Sequence, residues 1–362
     1  MDAIFYYYKV TFISLTEIRP VLRLRSIVLS LLWVISSACC PNQQKPEKEF
    51  LPGNRQTRQD SITLGVVYFS LDHGQNWVNA SKGLPQKVTI GLGGVSVSRD
   101  WLGLVTKEYG VYVYDFKDSL WLNIPADSAM IASNIGAMAF HNKGIFVGSQ
   151  HRGVFYSDDQ GESWTERNAG LGNLTIRRFA EIHARLYVGT NHGLYVYNDA
   201  TARWELEYGQ PAMQVNGMTG SSNGNLYIAT NLGAFVSKRN INGWEKIIEG
   251  LSLHNIGSVG QTIYALTYNK LFVSTDGGTT WESAQQGLPK ELYTFNVVGH
   301  KSLVFAGQWD GIYNKSIFEN SWRYSGDGLP PKFAAANLTA YNDLLVVTTS
   351  ERGLRRGMTI EK

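Results

Sequence analysis

The chain has 362 residues, with 33 Lys and Arg against 30 Asp and Glu, and the resulting net charge of +3 is dispersed rather than clustered. So small and scattered a balance gives no electrostatic footprint for DNA or RNA, and nucleic acid drops out as an expected partner. The two cysteines are Cys39 and Cys40, so everything that follows them holds no disulfide and no thiolate metal site.

Residues 1–40 read as a leader. Arg19, Arg23 and Arg25 precede an apolar run from Ile27 to Ile35, which is followed by Ser36-Ser37-Ala38 and then Cys39. That order is a charged region, an apolar region too short to span a bilayer and a small-residue cleavage site. A second apolar patch, Phe5 to Tyr8, lies ahead of the arginines, and an over-long gene start explains it. Small residues immediately before a cysteine resemble the lipobox of bacterial lipoproteins, with Ser36 where Leu is usual. The resemblance implies cleavage behind Ala38, acylation of Cys39 and a lipid-anchored, exported protein of the outer membrane, periplasm or cell surface. Residues 41–61 are rich in Lys, Glu, Gln, Asn and Pro, and are expected to form a disordered tether.

Residues 62–362 are repetitive. Trp77, Trp121, Trp164, Trp204, Trp244, Trp281 and Trp322 recur at a spacing of about 40 residues, the signature of a propeller or solenoid. Around three of them the pattern S-x-D-x-G-x-x-W is intact, from Ser70 to Trp77, Ser157 to Trp164 and Ser274 to Trp281. A short Asp side chain accepts backbone N–H groups, Gly takes the left-handed position and Trp buries a large ring between sheets, so each copy predicts a strand-turn-strand latch. Four further copies, Asp115 to Trp121, Asn198 to Trp204, Ser237 to Trp244 and Lys315 to Trp322, keep the Trp and lose some polar residues. Strand patterns such as Gly144 to Gly148 and Gly153 to Ser157 precede each latch, and the run Ala184 to Tyr197 is repeated at Gly224 to Ser237. Four strands per repeat make one propeller blade. The ring is expected to close where Leu344 to Thr349 meets Val66 to Phe69, although Gly65 to Ser70 and Gly353 to Thr359 both fit the third strand of a blade. Blade linkers repeat Gly-Leu-Pro at Gly83, Gly287 and Gly328, where Gly reverses the chain, Leu plugs the seam and Pro sets the exit.

The eight-residue pattern resembles the Asp-box, or BNR repeat, and the tandem strands also resemble the propeller repeat of bacterial two-component regulators. Similar repeats occur in sialidases, xyloglucanases, sortilin-type receptors, photosystem assembly factors and non-enzymatic bacterial propellers. The resemblance implies an all-β, seven-bladed β-propeller whose boxes lie on the face opposite the ligand site. Asp72, Trp77, Asp159, Trp164, Asp276 and Trp281 are accordingly assigned structural roles. It implies nothing specific about activity.

In such a propeller the turns between the second and third strands share the channel-mouth face with the blade linkers, and that face is the default binding site. Those turns carry Lys107-Glu108-Tyr109, Gln150-His151-Arg152, Asn191-His192, Asn231-Leu232, Tyr268-Asn269, Gln308-Trp309-Asp310 and Ser350-Glu351-Arg352. The candidate ligand-binding residues are Tyr109, His151, Arg152, His192, Trp309, Asp310, Glu351 and Arg352, with Arg177 at the start of an innermost strand. Trp309 stands outside the box column, as an aromatic that a sugar ring or a partner's side chain can stack on. Arg177, Asn216, Asn296 and Asn337 occupy matching positions, as a polar ring or as side chains satisfied by channel water.

Enzyme chemistry finds little support. A sialidase-like site implies an arginine triad, a Tyr nucleophile and an acid, with the first arginine in an Arg-Ile-Pro motif that this sequence lacks. A xyloglucanase-like site lies between two complete propellers, which exceeds this length. No G-x-S-x-G elbow is present, and the seven histidines are dispersed without a ligand-type cluster, so no metal and no cofactor are expected. The reading is a monomeric, non-enzymatic binding propeller that recognises an envelope protein or glycan. The alternative is a glycoside hydrolase that uses Glu108, Asp310 or Glu351 on the same face.

Overall fold

The computed structural model describes residues 65–291 and 293–349. The leader, the tether, Cys39, Glu351, Arg352 and Gly353 to Thr359 lie outside the described residues.

Runs of apolar and small residues, punctuated by Gly- and Asn-bearing turns, form seven four-stranded antiparallel sheets arranged as the blades of a propeller. Blade 1 is Ile90–Val97, Leu102–Thr106, Gly110–Asp115 and Leu120–Ile124, and blade 2 is Ile135–His141, Gly144–Ser149, Val154–Ser157 and Thr165–Glu166. Blade 3 is Ile176–Ile182, Arg185–Thr190, Gly193–Asn198 and Arg203–Tyr208, and blade 4 is Val215–Gly220, Leu226–Thr230, Gly233–Ser237 and Glu245–Glu249. Blade 5 is Asn255–Val259, Thr262–Leu266, Leu271–Ser274 and Glu282–Ser283, and blade 6 is Thr294–His300, Leu303–Gln308, Gly311–Ser316 and Arg323–Tyr324.

Blade 7 is shared between the two ends of the domain. Asn337–Tyr341 and Leu344–Thr348 supply its inner strands, and Val67–Ser70 and Val78–Asn79 its outer ones. Val67 pairs with Thr348 and Ser70 with Leu345, so Val67–Ser70 takes the third-strand place in the closing blade. Closure removes sheet edges that would otherwise stay unpaired.

The core is divided among the seams. Each apolar cluster joins two neighbouring blades, as where Val105, Val111 and Ile124 of blade 1 meet Met138, Ile145 and Val147 of blade 2. The box tryptophans stitch the same seams. Six of them donate Nε1–H to a backbone carbonyl of the preceding blade: Trp77 to Ser325, Trp121 to Ala80, Trp164 to Pro125, Trp204 to Arg167, Trp281 to Ile247 and Trp322 to Ala284, at 2.7 to 3.2 Å. Trp244 instead stacks on Tyr208 of blade 3 at 4.9 Å and 19°. The linker glycines are the mates of this column. Gly83 and Gly328 have φ of +93° and +90°, and a Cβ on either would lie 2.3 or 2.2 Å from the carbonyl oxygen of Trp121 or Trp77. Blades 1 and 2 are joined differently, through the short helix Ser128–Ala132, which Asp127 caps and whose Met130 is fully buried.

The three intact boxes share one hydrogen-bond pattern. The Ser70 hydroxyl donates to Asp72 Oδ1 at 2.8 Å while its oxygen accepts Gly74 N–H at 2.8 Å, and Asp72 also takes the N–H and side-chain amide of Asn76. Ser157, Asp159, Gly161 and Ser163 repeat this, as do Ser274, Asp276, Gly278 and Thr280. These donors hold the carboxyls low. Asp72 falls to about 2, first through the Asn76 N–H, and Asp276 falls to about 2, first through the Thr280 hydroxyl. For Asp159 partial desolvation pushes upward, and the Ser163 and Ser157 donors outweigh it to leave about 2. The box carboxylates are thus committed to their own turns.

Candidate ligand face at the channel mouth

The turns between second and third strands lie on the opposite face, and most are built alike. A hydroxyl at the end of the second strand donates to the carbonyl four or three residues on and accepts a turn N–H. Thr106 does so with Gly110 and Tyr109, Ser149 with Gly153 and Arg152, Thr190 with Gly193 and His192, and Thr230 with Gly233 and Leu232. This latch fixes the backbone and leaves the next two side chains free to vary. In blade 6 the hydroxyl is replaced by Gln308, which is fully buried and donates to Thr294 Oγ1.

The side chains on these turns fall into distinct environments. His151 and His192 are exposed, and Tyr109 is 38% exposed. Arg152 turns outward, pairing with Glu166 on the outermost strand and lying over the Phe155 ring. Trp309 is half-buried, and its indole N–H donates to the Glu291 carbonyl at 2.8 Å, so the linker into blade 6 gives this Trp a packing partner that its position in the sequence did not reveal. Asp310 accepts the Tyr313 hydroxyl at 3.0 Å, and desolvation raises its carboxyl above the usual range. Glu108 accepts the Thr89 N–H at 2.9 Å in blade 1. The two described carboxylates proposed for hydrolysis are therefore held in separate local bonds in blades 1 and 6.

The expected alignment of Arg177, Asn216, Asn296 and Asn337 needs correction. Bulges between Ile176 and Arg178, Val215 and Gly217, and Thr294 and Asn296 shift the register. Arg177 and Asn216 lie within bulges, whereas Arg178, Asn255, Asn296 and Asn337 form one register layer, facing Gly189, Leu266, Gly307 and Thr348. The asparagines act as staples. Asn216 donates to Leu253 O, Asn255 to Phe295 O, Asn296 to Ala336 O and Asn337 to Gly91 O, each reaching the next blade at 2.7 to 3.1 Å. Sequence reasoning missed Asn255 and Arg178, although Asn255, Asn296 and Asn337 recur at a constant spacing of 41 residues.

The asparagine donors are used, but several other polar atoms are not. Asn216 Oδ1, Asn296 Oδ1, Gln308 Oε1, Asp310 Oδ1 and Arg177 Nε are buried and lack a hydrogen-bond partner among the described residues. All five belong to the mouth half of blades 3, 4 and 6, where water or a ligand can satisfy them, and a sixth such atom, Arg167 Nε, lies in blade 2, where its guanidinium covers the Tyr156 ring. Around them the mouth exposes Leu92, Tyr109, Leu174, Leu251 and Tyr268. Tyr268 belongs to an aromatic cluster with Tyr293, Phe295 and His254, in which His254 and Tyr293 are parallel at 5.3 Å.

Comparison with known proteins agrees with this geometry. The family model for the BNR/Asp-box repeat matches residues 155–166 and 272–283, the second and third intact boxes. The chain is a seven-bladed β-propeller carrying BNR/Asp-box repeats. Among curated proteins none matches the sequence. Solved propellers match the fold at low identity. One is YCF48 bound to a D1 peptide, with 12% identity, TM-score 0.57, 75% of this chain and 100% of that chain covered. Another is the computationally designed Ika8 protein, with 13% identity, TM-score 0.55 and coverages of 76% and 84%. A third is PorZ, a surface component of the type-IX secretion system of Porphyromonas gingivalis, with 16% identity and TM-score 0.51. There the match covers 71% of this chain and 35% of PorZ. Within the described part of this propeller no group of three His, Cys, Asp or Glu is arranged to hold a metal, and no helix is long and apolar enough to cross a membrane.

Proposed function

We propose that this protein is a non-enzymatic binding propeller, tethered to a bacterial envelope membrane through an acylated Cys39, that recognises a protein or glycan with its channel-mouth face. The observation that carries the reading is the contrast between the faces. The box carboxylates spend their oxygens on their own turns, while the mouth combines uniform latched turns with divergent, exposed side chains and several buried polar atoms without a protein partner. Leu92, Tyr109, Leu174, Leu251 and Tyr268 are each exposed on separate turns, linkers and a strand bulge of the ring, and exposed apolar and aromatic side chains of this kind favour a protein surface. That YCF48 is solved with a peptide, and that PorZ is a surface component, support the class of role and the compartment.

The test is retention of envelope components by the purified protein and its variants. Trp309→Ala and Tyr268→Ala are expected to release a component that Leu71→Ser, on the box face, retains, with a loss of roughly thirtyfold in affinity per anchor. Equal retention by all variants would remove the mouth face from recognition. Turnover of a glycoside that disappears in Asp310→Asn would place the protein among the hydrolases instead. Mass spectrometry of the mature protein checks the tether, and an unmodified amino terminus would overturn it.

A further inference from the structure

The innermost strand of blade 3 brings two adjacent arginines, Arg177 and Arg178, to the channel. Arg177 donates from Nη1 to Asn191 Oδ1 at 2.9 Å, and its Nε is buried without an acceptor. Arg178 crosses the channel. It donates from Nη1 to Asn255 Oδ1 of blade 5 at 3.0 Å, and a Cβ on Gly93 of blade 1 would lie 3.3 Å from its Cγ. The side chain is half-buried, so channel solvent still reaches part of it.

Neither guanidinium pairs with a carboxylate among the described residues. Desolvation first, and repulsion from Arg177 second, bring Arg178 down to about 10, so it remains charged at neutral pH. The neighbouring imidazole adds no countercharge. Burial holds His254 below its ordinary value, and the Arg178 charge acts in the same direction. A partly enclosed guanidinium without a countercharge is destabilising, and two on adjacent residues favour the binding of an anion from outside the chain.

The surroundings restrict which anion. The opposite wall is the bulge Gly91-Leu92-Gly93-Gly94, pinned by Asn337, which donates to Gly91 O and accepts Gly93 N–H at 3.0 and 2.9 Å. A Cβ on Gly91 would lie 2.2 Å from Gly136 O, so Gly91 can pass this close to blade 2 only without a side chain. It leaves Leu92 exposed over the mouth, and the Tyr268 and Tyr293 rings flank the side next to His254. An apolar rim strips water from an entering head group, and that penalty grows steeply with charge, which favours a monoanion over a phosphate dianion.

We propose that Arg177 and Arg178 bind the carboxylate of an apolar organic acid whose body lies against Leu92, Tyr268 and Tyr293. The site specifies the ligand chemistry for the face already assigned to recognition, and it rests on that assignment. Guanidinium forks match carboxylate geometry and supply charge-assisted bonds, while the aromatic rings take the apolar body.

The experiment is calorimetric titration of the full protein at low ionic strength with 3-phenylpropionate and with its neutral amide. The acid is expected to bind saturably and the amide not. Arg178→Met and Arg177→Met are expected to weaken the acid by about tenfold or more while melting no lower than the parent, because each removes an uncompensated charge. Should Arg178→Met fail to fold, Arg178→Lys keeps the charge, loses the fork and is expected to weaken the acid as well. Binding of an acetylated peptide ending in Phe with a free but not an amidated carboxyl terminus would place the carboxylate at a chain end. Binding by the small acid alone would make a metabolite the source. Equal binding of acid and amide, unchanged affinity in the arginine variants, or tighter binding of inorganic phosphate would each overturn the proposal. If the acid does not bind while Tyr268→Ala still releases the envelope component, the carboxylate site falls and the recognition face stands.

Discussion

Replacing Trp204 with Ala tests whether the box tryptophans hold the ring together. The indole is 2% exposed, lies within 6.2 Å of the Phe146, Phe179 and Tyr197 rings, and donates to Arg167 O at 2.7 Å. Truncating a buried Trp costs about 3 to 5 kcal/mol, and the abandoned carbonyl adds about 1 kcal/mol, for a total near 4 to 6 kcal/mol. Trp204→Phe keeps most of the ring and loses the bond, so about 1 to 2 kcal/mol is expected. Trp244 is half-buried and stacks on Tyr208 rather than bonding to a carbonyl, which makes Trp244→Ala the milder change. Urea unfolding followed by circular dichroism at 25 °C gives the ordering Trp204→Ala, then Trp244→Ala, in decreasing loss. A loss below about 2 kcal/mol for Trp204→Ala, or a larger one for Trp244→Ala, would refute the seam argument.

The boxes predict an acid limb in stability. Asp72, Asp159 and Asp276 titrate at about 2 in the fold against 3.8 ordinarily, so their contribution is complete above about pH 4 and is lost as the pH falls toward 2. The triple Asp→Asn variant should be less stable at pH 7 and lose less between pH 4 and 2, and a parallel pair of curves would contradict the assignment. Closure gives a truncation test: deleting residues 1–61 should leave the melting temperature unchanged, whereas deleting residues 1–80 removes both outer strands of blade 7 and should produce early, separate melting of Leu344–Thr348 in hydrogen exchange. Intact protection there after the longer deletion would show that blade 7 does not need its amino-terminal strands.

The architecture was legible because its determinants are local and repeated. A box works within eight residues, a Gly-Leu-Pro linker within three, and the Trp column advertises the blade period, so residue type and spacing sufficed to predict seven four-stranded blades and their closure. The third-strand place in blade 7 had two claimants in the sequence, and pairing of Val67–Ser70 with Leu345 to Thr348 decided it. The mouth depends on register and on contacts that cross the ring. A one-residue bulge separates Arg177 from the layer of Asn296 and Asn337 and puts Arg178 there instead. Arg152 sits in a mouth turn by sequence, yet Glu166 draws it to the outer edge, and Trp309 looks unsupported until the Glu291 carbonyl is brought to it. The sequence by itself determined the blade and its repetition, since hydrogen bonds inside a turn and a Trp per seam are set by neighbours in the chain. Only the closed ring decided which side chains meet over the channel, because Arg178, Gly93 and Asn255 come from three blades and touch only after all seven have closed.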